Sequence, residues 1–353
     1  QQRERAAHTS MLEAMTQFGA GRYLRARKSA EAALAREQAL REAGDVLPHR
    51  ASLRTLAHLA VAESAHALQD HATRDTHLAL ALDRAAAPGA PPELREGVLL
   101  RAARWSLNDR DPIAAMARLD ELPAGATRRT AALRVKLKAA RLAGHQREAL
   151  DTARLLAKHG AFSREAAGTL VRSLAADQIA HAHDAAQLQQ VWASLEPADR
   201  TAPELALRAA QRLLNLGGDH AVVRDWLRPV WRDMLAQPEQ FSHAQHARLA
   251  RVLEAGMAPT TSGSGDAADQ EWLARVEAAH QANPRDASLQ YLAGMACLHR
   301  GLWGKAQLLL TQAVRGLQDA DLRARAWRAL AELAEQRGDE AVAAQAWRAA
   351  ALS

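Results

Sequence analysis

Apolar and small residues recur along most of the chain at the three- and four-residue spacing that places them on one face of a helix. The clearest stretch spans residues 287–317, where leucines and alanines follow this spacing on both sides of Gly301. The pattern predicts two antiparallel helices joined by a tight turn at Gly301, because glycine readily adopts the left-handed backbone that ends a helix. Gly294 and Ala306 are the small residues at which we expect the two helices to approach each other closely.

The same order of residue types occurs near both ends of the chain: a small residue, a turn glycine, an aromatic residue and two further small residues. These positions are Gly294, Gly301, Trp303, Ala306 and Ala313 in the later stretch and Ala14, Gly21, Tyr23, Ala26 and Ala33 in the earlier one. This order is typical of a tetratricopeptide (TPR) repeat, a helix pair with a period of about 34 residues. Because one such pair cannot bury its own apolar face, the pattern predicts a stack of neighbouring pairs.

Prolines, glycines and short polar segments divide the remaining sequence into further helix pairs. We therefore predict an all-α fold, an α-solenoid of roughly nine TPR-like antiparallel helix pairs. Its predicted parts are N-terminal repeats, central degenerate repeats, a Ser/Gly-rich flexible loop and C-terminal repeats, at residues 1–86, 87–255, 256–269 and 270–353. An irregular helical bundle is the alternative for residues 35–90 and 160–250. Pro229 lies within a predicted helix, and we expect it to kink that helix or end it early.

The composition favours helix and narrows the class of protein. Hydrophobic residues make up 48% of the chain but aromatic residues only 4%, and strand-forming residues are scarce. The single cysteine, Cys297, excludes an internal disulfide and a cysteine-cluster metal site, and we expect it in the core. No uninterrupted apolar run is long enough to cross a bilayer. The net charge of +6 suits acidic partners or a membrane face.

Sequence motifs that carry catalysis are missing. The chain contains no G-x-x-x-x-G-K-[ST] phosphate loop, no H-E-x-x-H zinc motif and no G-x-S-x-G nucleophile elbow. Acidic residues are abundant, but no pair of them stands out as a general acid and base. We therefore predict that the chain is not an enzyme and has no cofactor or metal site. We also predict that it does not bind nucleic acid, because its basic residues are not interleaved with aromatic ones.

Histidines are the residues that a haem or a metal ion would use. Three groups are close in sequence: the i,i+3 pair His243 and His246, the pair His181 and His183, and the cluster His66, His71 and His77. In each case we expect exposed polar positions, with haem ligation as the alternative.

In a TPR array the ligand-binding surface is the concave face, which is lined by the first helix of each pair. Counted from the start of each unit, the second, fifth, ninth and twelfth positions face it. In the middle of the chain they form a basic stripe of Arg134, Lys138 and Arg141, preceded by Leu100 and Arg104. In the outer units they supply the apolar side chains Met11, Met15, Tyr291 and Met295. We predict that this face binds carboxylates of an acidic peptide or of porphyrin propionates. The alternative is a solvated basic face with the methionines in the core.

Several stretches resemble one family. The segment LWGKA at residues 302–306, which follows an apolar helix, is similar to the C-terminal part of HemY, a proteobacterial TPR family associated with haem biosynthesis. Residues 18–34, 141–162 and 200–217 resemble further parts of the family in the same order, whereas the loop at 260–265 departs from its pattern. The resemblance implies an inner-membrane protein with two N-terminal membrane helices. It also implies a role late in protohaem formation, with no agreed enzymatic activity.

Together, the sequence and the resemblance predict a TPR scaffold, tethered to the bacterial inner membrane, that supports late protohaem biosynthesis by binding enzymes of that pathway. The chain begins at Gln1 without a methionine, and we interpret it as the part that follows the membrane helices. Basic residues near its start favour the cytoplasmic side of the membrane, namely Arg3, Arg5, Arg22 and Arg25. The alternative is a haem- or porphyrin-binding carrier or regulatory protein, for which His8 is the nearest to a suitable ligand.

Overall fold

The structure, a computed structural model, describes residues 2–45, 47, 49–88, 90–257 and 266–353. The described residues form helices joined by turns and short loops, with no strand among them. This confirms the predicted all-α fold class. The chain divides into two compact units, the N-terminal unit Gln1–Val171 and the C-terminal unit Arg172–Ser353. This division does not test the predicted sequence segments 1–86, 87–255, 256–269 and 270–353, which stay a prediction.

Most of the described helices have one buried and one exposed face, whereas α17 (Ala287–His299) has no exposed residue. In the N-terminal unit they are α1 (Gln2–Gly19), α2 (Tyr23–Glu42), α3 (Arg50–Ala67), α4 (His71–Ala85), α5 (Pro92–Asn108), α6 (Pro112–Asp120), α7 (Ala124–Thr127), α8 (Thr130–Ala143) and α9 (Gln146–Lys158). Helix α10 (Arg164–Ala180) crosses the division. The C-terminal unit continues with α11 (Ala185–Ser194), α12 (Pro197–Arg200), α13 (Pro203–Asn215), α14 (His220–Ala236), a 3₁₀ turn (Pro238–Gln240), α15 (His243–Met257), α16 (Asp266–Ala282), α17 (Ala287–His299), α18 (Trp303–Gly316), α19 (Ala320–Gln336) and α20 (Glu340–Leu352).

Within each unit, consecutive helices stack in a solenoid-like order. In the N-terminal unit α1 packs on α2, α3 on α4, α5 on α6 and α8 on α9, and the first helix of each pair also packs on the first helix of the next. In the C-terminal unit α13 packs on α14, α17 on α18 and α19 on α20, and α13, α15, α17 and α19 pack on one another in turn, whereas α16 packs on α17. The described residues thus form seven packed pairs, and α10 with α11 and α15 with α16 are the remaining two sets of helices along the sequence, in line with the predicted set of roughly nine.

Most of these pairs turn at one residue with a left-handed backbone. Its φ is positive at Gly21, Gln69, Arg110, Gly144, Gly217, Gly301 and Gly338. The next amide then donates to the carbonyl five residues back, for example Leu302 N to Cys297 O at 2.9 Å. This pattern ends the first helix and reverses the chain. Two of the seven are not glycines, so glycine spacing alone understates the number of repeats.

The predicted close approach in the C-terminal unit is confirmed at Gly294. A Cβ atom there would lie 2.8 Å from Cγ of Leu310 on α18 and 3.3 Å from its backbone N. Ala306 is fully buried in the same helix pair. Cys297 is also buried, as predicted, and burial raises the pKa of its thiol. The small residues at these positions are therefore what allows α17 and α18 to pack.

Of the two predicted effects of Pro229, an early end of the helix is not observed, since α14 continues through the proline to Ala236. Proline within a helix removes one backbone hydrogen bond and costs about 3 kcal/mol. Val230, Trp231 and Met234, which follow the proline, are all buried. Burial of these three side chains offsets that cost and keeps the second half of the helix in place.

The predicted flexible loop at 256–269 overlaps helices at both of its ends. Helix α15 includes residues 256 and 257, and α16 begins at Asp266. Gly256 lies within α15, against Val223. A Cβ atom at position 256 would lie 3.1 Å from Cγ1 of Val223, and this tight contact favours glycine there. Residues 258–265, which contain the rest of the predicted loop, lie outside the described residues.

Candidate functional site

The first helices of the N-terminal unit, α1, α3, α5 and α8, form one face of that unit, which we call its inner face. The turn residues align these helices, so that equivalent positions can be compared. In each helix we compare the two residues that lie ten and six positions before the turn residue. These are Met11 and Met15 in α1, Leu59 and Glu63 in α3, Leu100 and Arg104 in α5, and Arg134 and Lys138 in α8. The inner face therefore changes from apolar at α1 to basic at α8.

The basic end of the inner face carries the predicted stripe. Arg134, Lys138 and Arg141 are all exposed, and so is Arg104 on the preceding first helix. At 1.5 Å per residue, the three cations on α8 lie within about 10 Å along the helix axis. The opposite face of α8 is apolar and buried, which orients the stripe outward.

The stripe has no internal counter-charge. Arg134 donates a hydrogen bond to the carbonyl of Ala161 at 3.3 Å, and no carboxylate in the described part of the chain pairs with Arg104, Lys138 or Arg141. Several neighbouring cations are paired instead, such as Lys136 with Glu148 at 2.9 Å. The stripe is therefore a concentration of positive charge that an anionic partner can neutralise.

The apolar end of the inner face lies on α1 and α3. Met15 is 58% exposed, and Leu56 is also exposed. Leu59 and Leu100 are half-buried. Glu63 on α3 forms an ion pair with Arg101 on α5 at 2.7 Å, which links the two ends of the face. Burial raises the pKa of Glu63.

Met11, predicted to face a ligand, is in the core instead. It packs with Ala33 and Leu40 of α2 and with Leu53 and Ala57 of α3. Helix α3, the first helix of the next pair, packs on α1 and covers this position. The residue pattern of α1 alone does not show this.

Tyr291 and Met295 are likewise buried, contrary to the prediction that they line a binding surface. Both pack in a core that includes Ala250 of α15 and Leu322 and Ala326 of α19. The first helices on either side therefore close over α17. Burial and the neighbouring carboxylate of Glu254 raise the pKa of Tyr291.

Charged side chains from α15 and α19 also meet across α17. Arg251 of α15 pairs with Asp321 of α19 at 2.8 Å, and Arg325 of α19 lies 3.4 Å from Glu254 of α15. Glu254 also accepts a hydrogen bond from the Tyr291 hydroxyl at 3.4 Å. The corresponding face of the C-terminal unit is thus neutralised by its own residues, in contrast to the stripe on α8. Sequence reasoning missed these pairs, because their members are far apart in the chain.

The three groups of histidines that are close in sequence lie in different surroundings. No group of three or more histidine, cysteine, aspartate or glutamate residues within the described ranges could hold a metal ion. The ring of His246 is tilted against that of Phe241, with centroids 6.1 Å apart, and its Nε2 lies 3.3 Å from the carbonyl of Pro238. His66 stacks on Trp105, with ring centroids 5.2 Å apart.

None of the described helices combines the length and the apolar character that crossing a bilayer requires.

One histidine pair, which sequence reasoning did not single out, is partly buried between α3 and α4. The Nδ1 atoms of His58 and His77 are 3.1 Å apart, so one ring donates a hydrogen bond and the other accepts it through an unprotonated Nδ1. Burial, His77 and the cations Arg54 and Arg84 lower the pKa of His58 to about 4. Burial and the cation Arg27 also lower the pKa of His77, whereas the carboxylate of Glu31 raises it by a smaller amount.

Acidification should destabilise this histidine pair. Below a pH of about 6.5 an unfolded His58 binds a proton that the folded side chain does not, so the free energy of unfolding should fall by about 1–2 kcal/mol between pH 7 and pH 5. The loss should level off near the folded pKa of about 4. Urea unfolding at both pH values measures it. The variant His58→Leu corrects for other titrating groups, and an equal pH dependence in both proteins would contradict the assignment.

No protein-family model and no curated protein matches this chain. The solved structures that are similar to this chain include the following two. The Naa15/Naa10 complex bound to HypK-THB is 13% identical with a TM-score of 0.29, and the match covers 96% of this chain and 57% of the other. The P58(IPK) TPR domain is 12% identical with a TM-score of 0.25, and the match covers 94% and 99% respectively. This chain spans little more than half the length of the first, and neither likeness identifies a family or a function.

Proposed function

We propose that this protein is a non-enzymatic scaffold that binds partner proteins through the inner face of its N-terminal unit. The observation that carries the proposal is the row of exposed cations on α5 and α8 that have no carboxylate partner among the described residues. The equivalent charges of the C-terminal unit are paired with one another. Only the first of these two surfaces needs an external anion.

The partner segment that fits this face is acidic at one end and apolar at the other. Carboxylates of the partner would form charge-assisted hydrogen bonds with Lys138 and with the three exposed arginines of α5 and α8, which are Arg104, Arg134 and Arg141. An apolar side chain would cover Met15 and Leu56, which are otherwise exposed to water. Charge complementarity of this kind raises the association rate and selects among partners.

The resemblance to the HemY family supplies the proposed setting. On that basis the partners are enzymes of late haem biosynthesis, and the scaffold acts at the bacterial inner membrane, on its cytoplasmic side. The support is the similarity of residues 302–306 and of the stretches 18–34, 141–162 and 200–217.

Reversing the stripe tests the scaffold. The variant Arg134→Glu/Lys138→Glu/Arg141→Glu should weaken binding of haem-pathway enzymes at least about tenfold, as measured by pull-down and titration with purified enzymes. A matched control is Arg128→Glu/Arg147→Glu/Lys158→Glu, which changes the same charge at exposed positions elsewhere in the unit. Equal losses in both variants would mean that only net charge matters, and unchanged binding in the first would exclude the stripe.

A haem or porphyrin carrier is the alternative function, and the inner face does not fit it well. Both ring nitrogens of His66 face polar partners at 3.3 Å, Arg74 on one side and Asn108 on the other. His8, which is half-buried on α1, is the remaining histidine at an inner position. If the protein is a scaffold, titration with haem should therefore give no saturable change in absorbance. A one-to-one absorbance shift that disappears in His8→Ala would favour the carrier instead.

A further inference from the structure

A groove of about 530 Å³ on the C-terminal unit brings together aromatic and proline residues from three helices. Trp192 of α11 and Trp226 of α14 form one wall, and Pro197 and Pro229 contribute flat apolar rings. Arg200, at the end of α12, lies at the same groove. The scaffold function proposed above uses none of these residues.

The two tryptophans form a rigid platform. Their rings are stacked, with centroids 4.7 Å apart and planes 25° from parallel. Trp192 is only 6% exposed, and Trp226 is half-buried. Val223, Leu227 and Val230 anchor α14 in the core beside them. The platform is therefore held in place before any ligand arrives, which lowers the entropy cost of binding.

Several donors at the groove have no partner among the described residues. Neither indole N–H of the pair has a hydrogen-bond partner among the described residues, whereas that of Trp347 donates to Glu335 at 2.7 Å. The guanidinium of Arg200 likewise forms no ion pair in the described part of the chain, and its Nε is buried without a partner. Asp225, also at the groove, is already paired with Arg228 at 2.9 Å. A ligand must therefore bring acceptors and an anion.

We propose that this groove binds an extended, proline-containing peptide segment that carries an acidic residue. A polyproline II segment has no internal hydrogen bonds, so its backbone carbonyls are free to accept from the indole N–H groups. Its proline rings pack flat on aromatic side chains, as in other grooves that recognise such segments. A carboxylate beside the prolines pairs with Arg200. A helical partner fits less well, because its backbone carbonyls are already hydrogen-bonded within the helix.

The test uses a synthetic peptide of repeated Glu-Pro-Pro triplets and the whole chain. NMR should show saturable shifts of the indole N–H signals of Trp192 and Trp226, and a Lys-Pro-Pro peptide should not compete. The variant Arg200→Gln should weaken binding about fivefold or more. Arg232→Gln, an exposed arginine on α14 away from the groove, should leave binding unchanged.

Three outcomes would overturn this proposal. One is no saturation at peptide concentrations of about 1 mM. Another is wild-type binding by both Arg200→Gln and Trp226→Leu. The third is loss of binding in the stripe variant Arg134→Glu/Lys138→Glu/Arg141→Glu, which would assign the acidic peptide to the N-terminal unit. Binding that survives in that variant supports the groove whether or not the scaffold function holds.

Discussion

Replacing Gly294 by valine should lower the local free energy of unfolding of α17 and α18 by about 3 kcal/mol, because overpacking a filled core forces backbone shifts. Even the first added carbon would lie 2.8 and 2.9 Å from two side-chain carbons of Leu310. It would also lie 3.3 Å from the Leu310 backbone N, which cannot move without displacing α18. Hydrogen exchange of the α17 and α18 amides measures the change.

The same substitution at Gly304 is the matched control. Gly304 lies in the first turn of α18, and a Cβ atom there would meet nothing within 4 Å. Gly304→Val should therefore change stability by less than about 1 kcal/mol. If the two variants lost equal stability, the close approach of α17 and α18 at Gly294 would not be the cause.

The features that the sequence predicted correctly depend on residues close together in the chain. The turn at Gly301 and the small residue Gly294 belong to one helix pair, and the periodicity of that pair alone determines both. The exposure of Arg134, Lys138 and Arg141 follows from the amphipathic pattern of α8 in the same way. Local pattern therefore sufficed for the fold class and for the exposure of these three cations, while their role in binding stays a prediction.

The features that the sequence did not predict depend on how neighbouring pairs pack. Tyr291 occupies a concave-face position by count, yet α15 and α19 close over it. The ion pair of Arg251 with Asp321 joins residues 70 positions apart. Helix α14 continues through Pro229 because residues beyond it are buried. No pattern within one helix contains this information, which explains why the apolar part of the predicted site was partly wrong.

Removing the carboxylate of Asp109 should destabilise the N-terminal unit by about 2–3 kcal/mol, because it leaves a buried cation with weaker partners. Arg74 is only 4% exposed, and its two terminal nitrogens lie 3.1 and 2.7 Å from the two oxygens of Asp109. The pair joins α4 to the turn after α5, and the Arg74 guanidinium holds the pKa of Asp109 below its usual value. The Asp109 side chain is 37% exposed, so the expected cost is below that of a fully buried pair.

A double-mutant cycle separates the ion pair from other effects of Asp109→Ala. In an Arg74→Met background, where no cation is left unpaired, Asp109→Ala should cost less than about 1 kcal/mol, because the interaction it removes is already gone. Asp83→Ala is an exposed control, since its pair with Arg84 at 3.5 Å is solvent-screened and should contribute less than about 1 kcal/mol. Urea unfolding of the four proteins of the cycle gives the coupling energy. Equal costs of Asp109→Ala in both backgrounds would show that the turn after α5 needs the aspartate for its own conformation and that Arg74 does not depend on it.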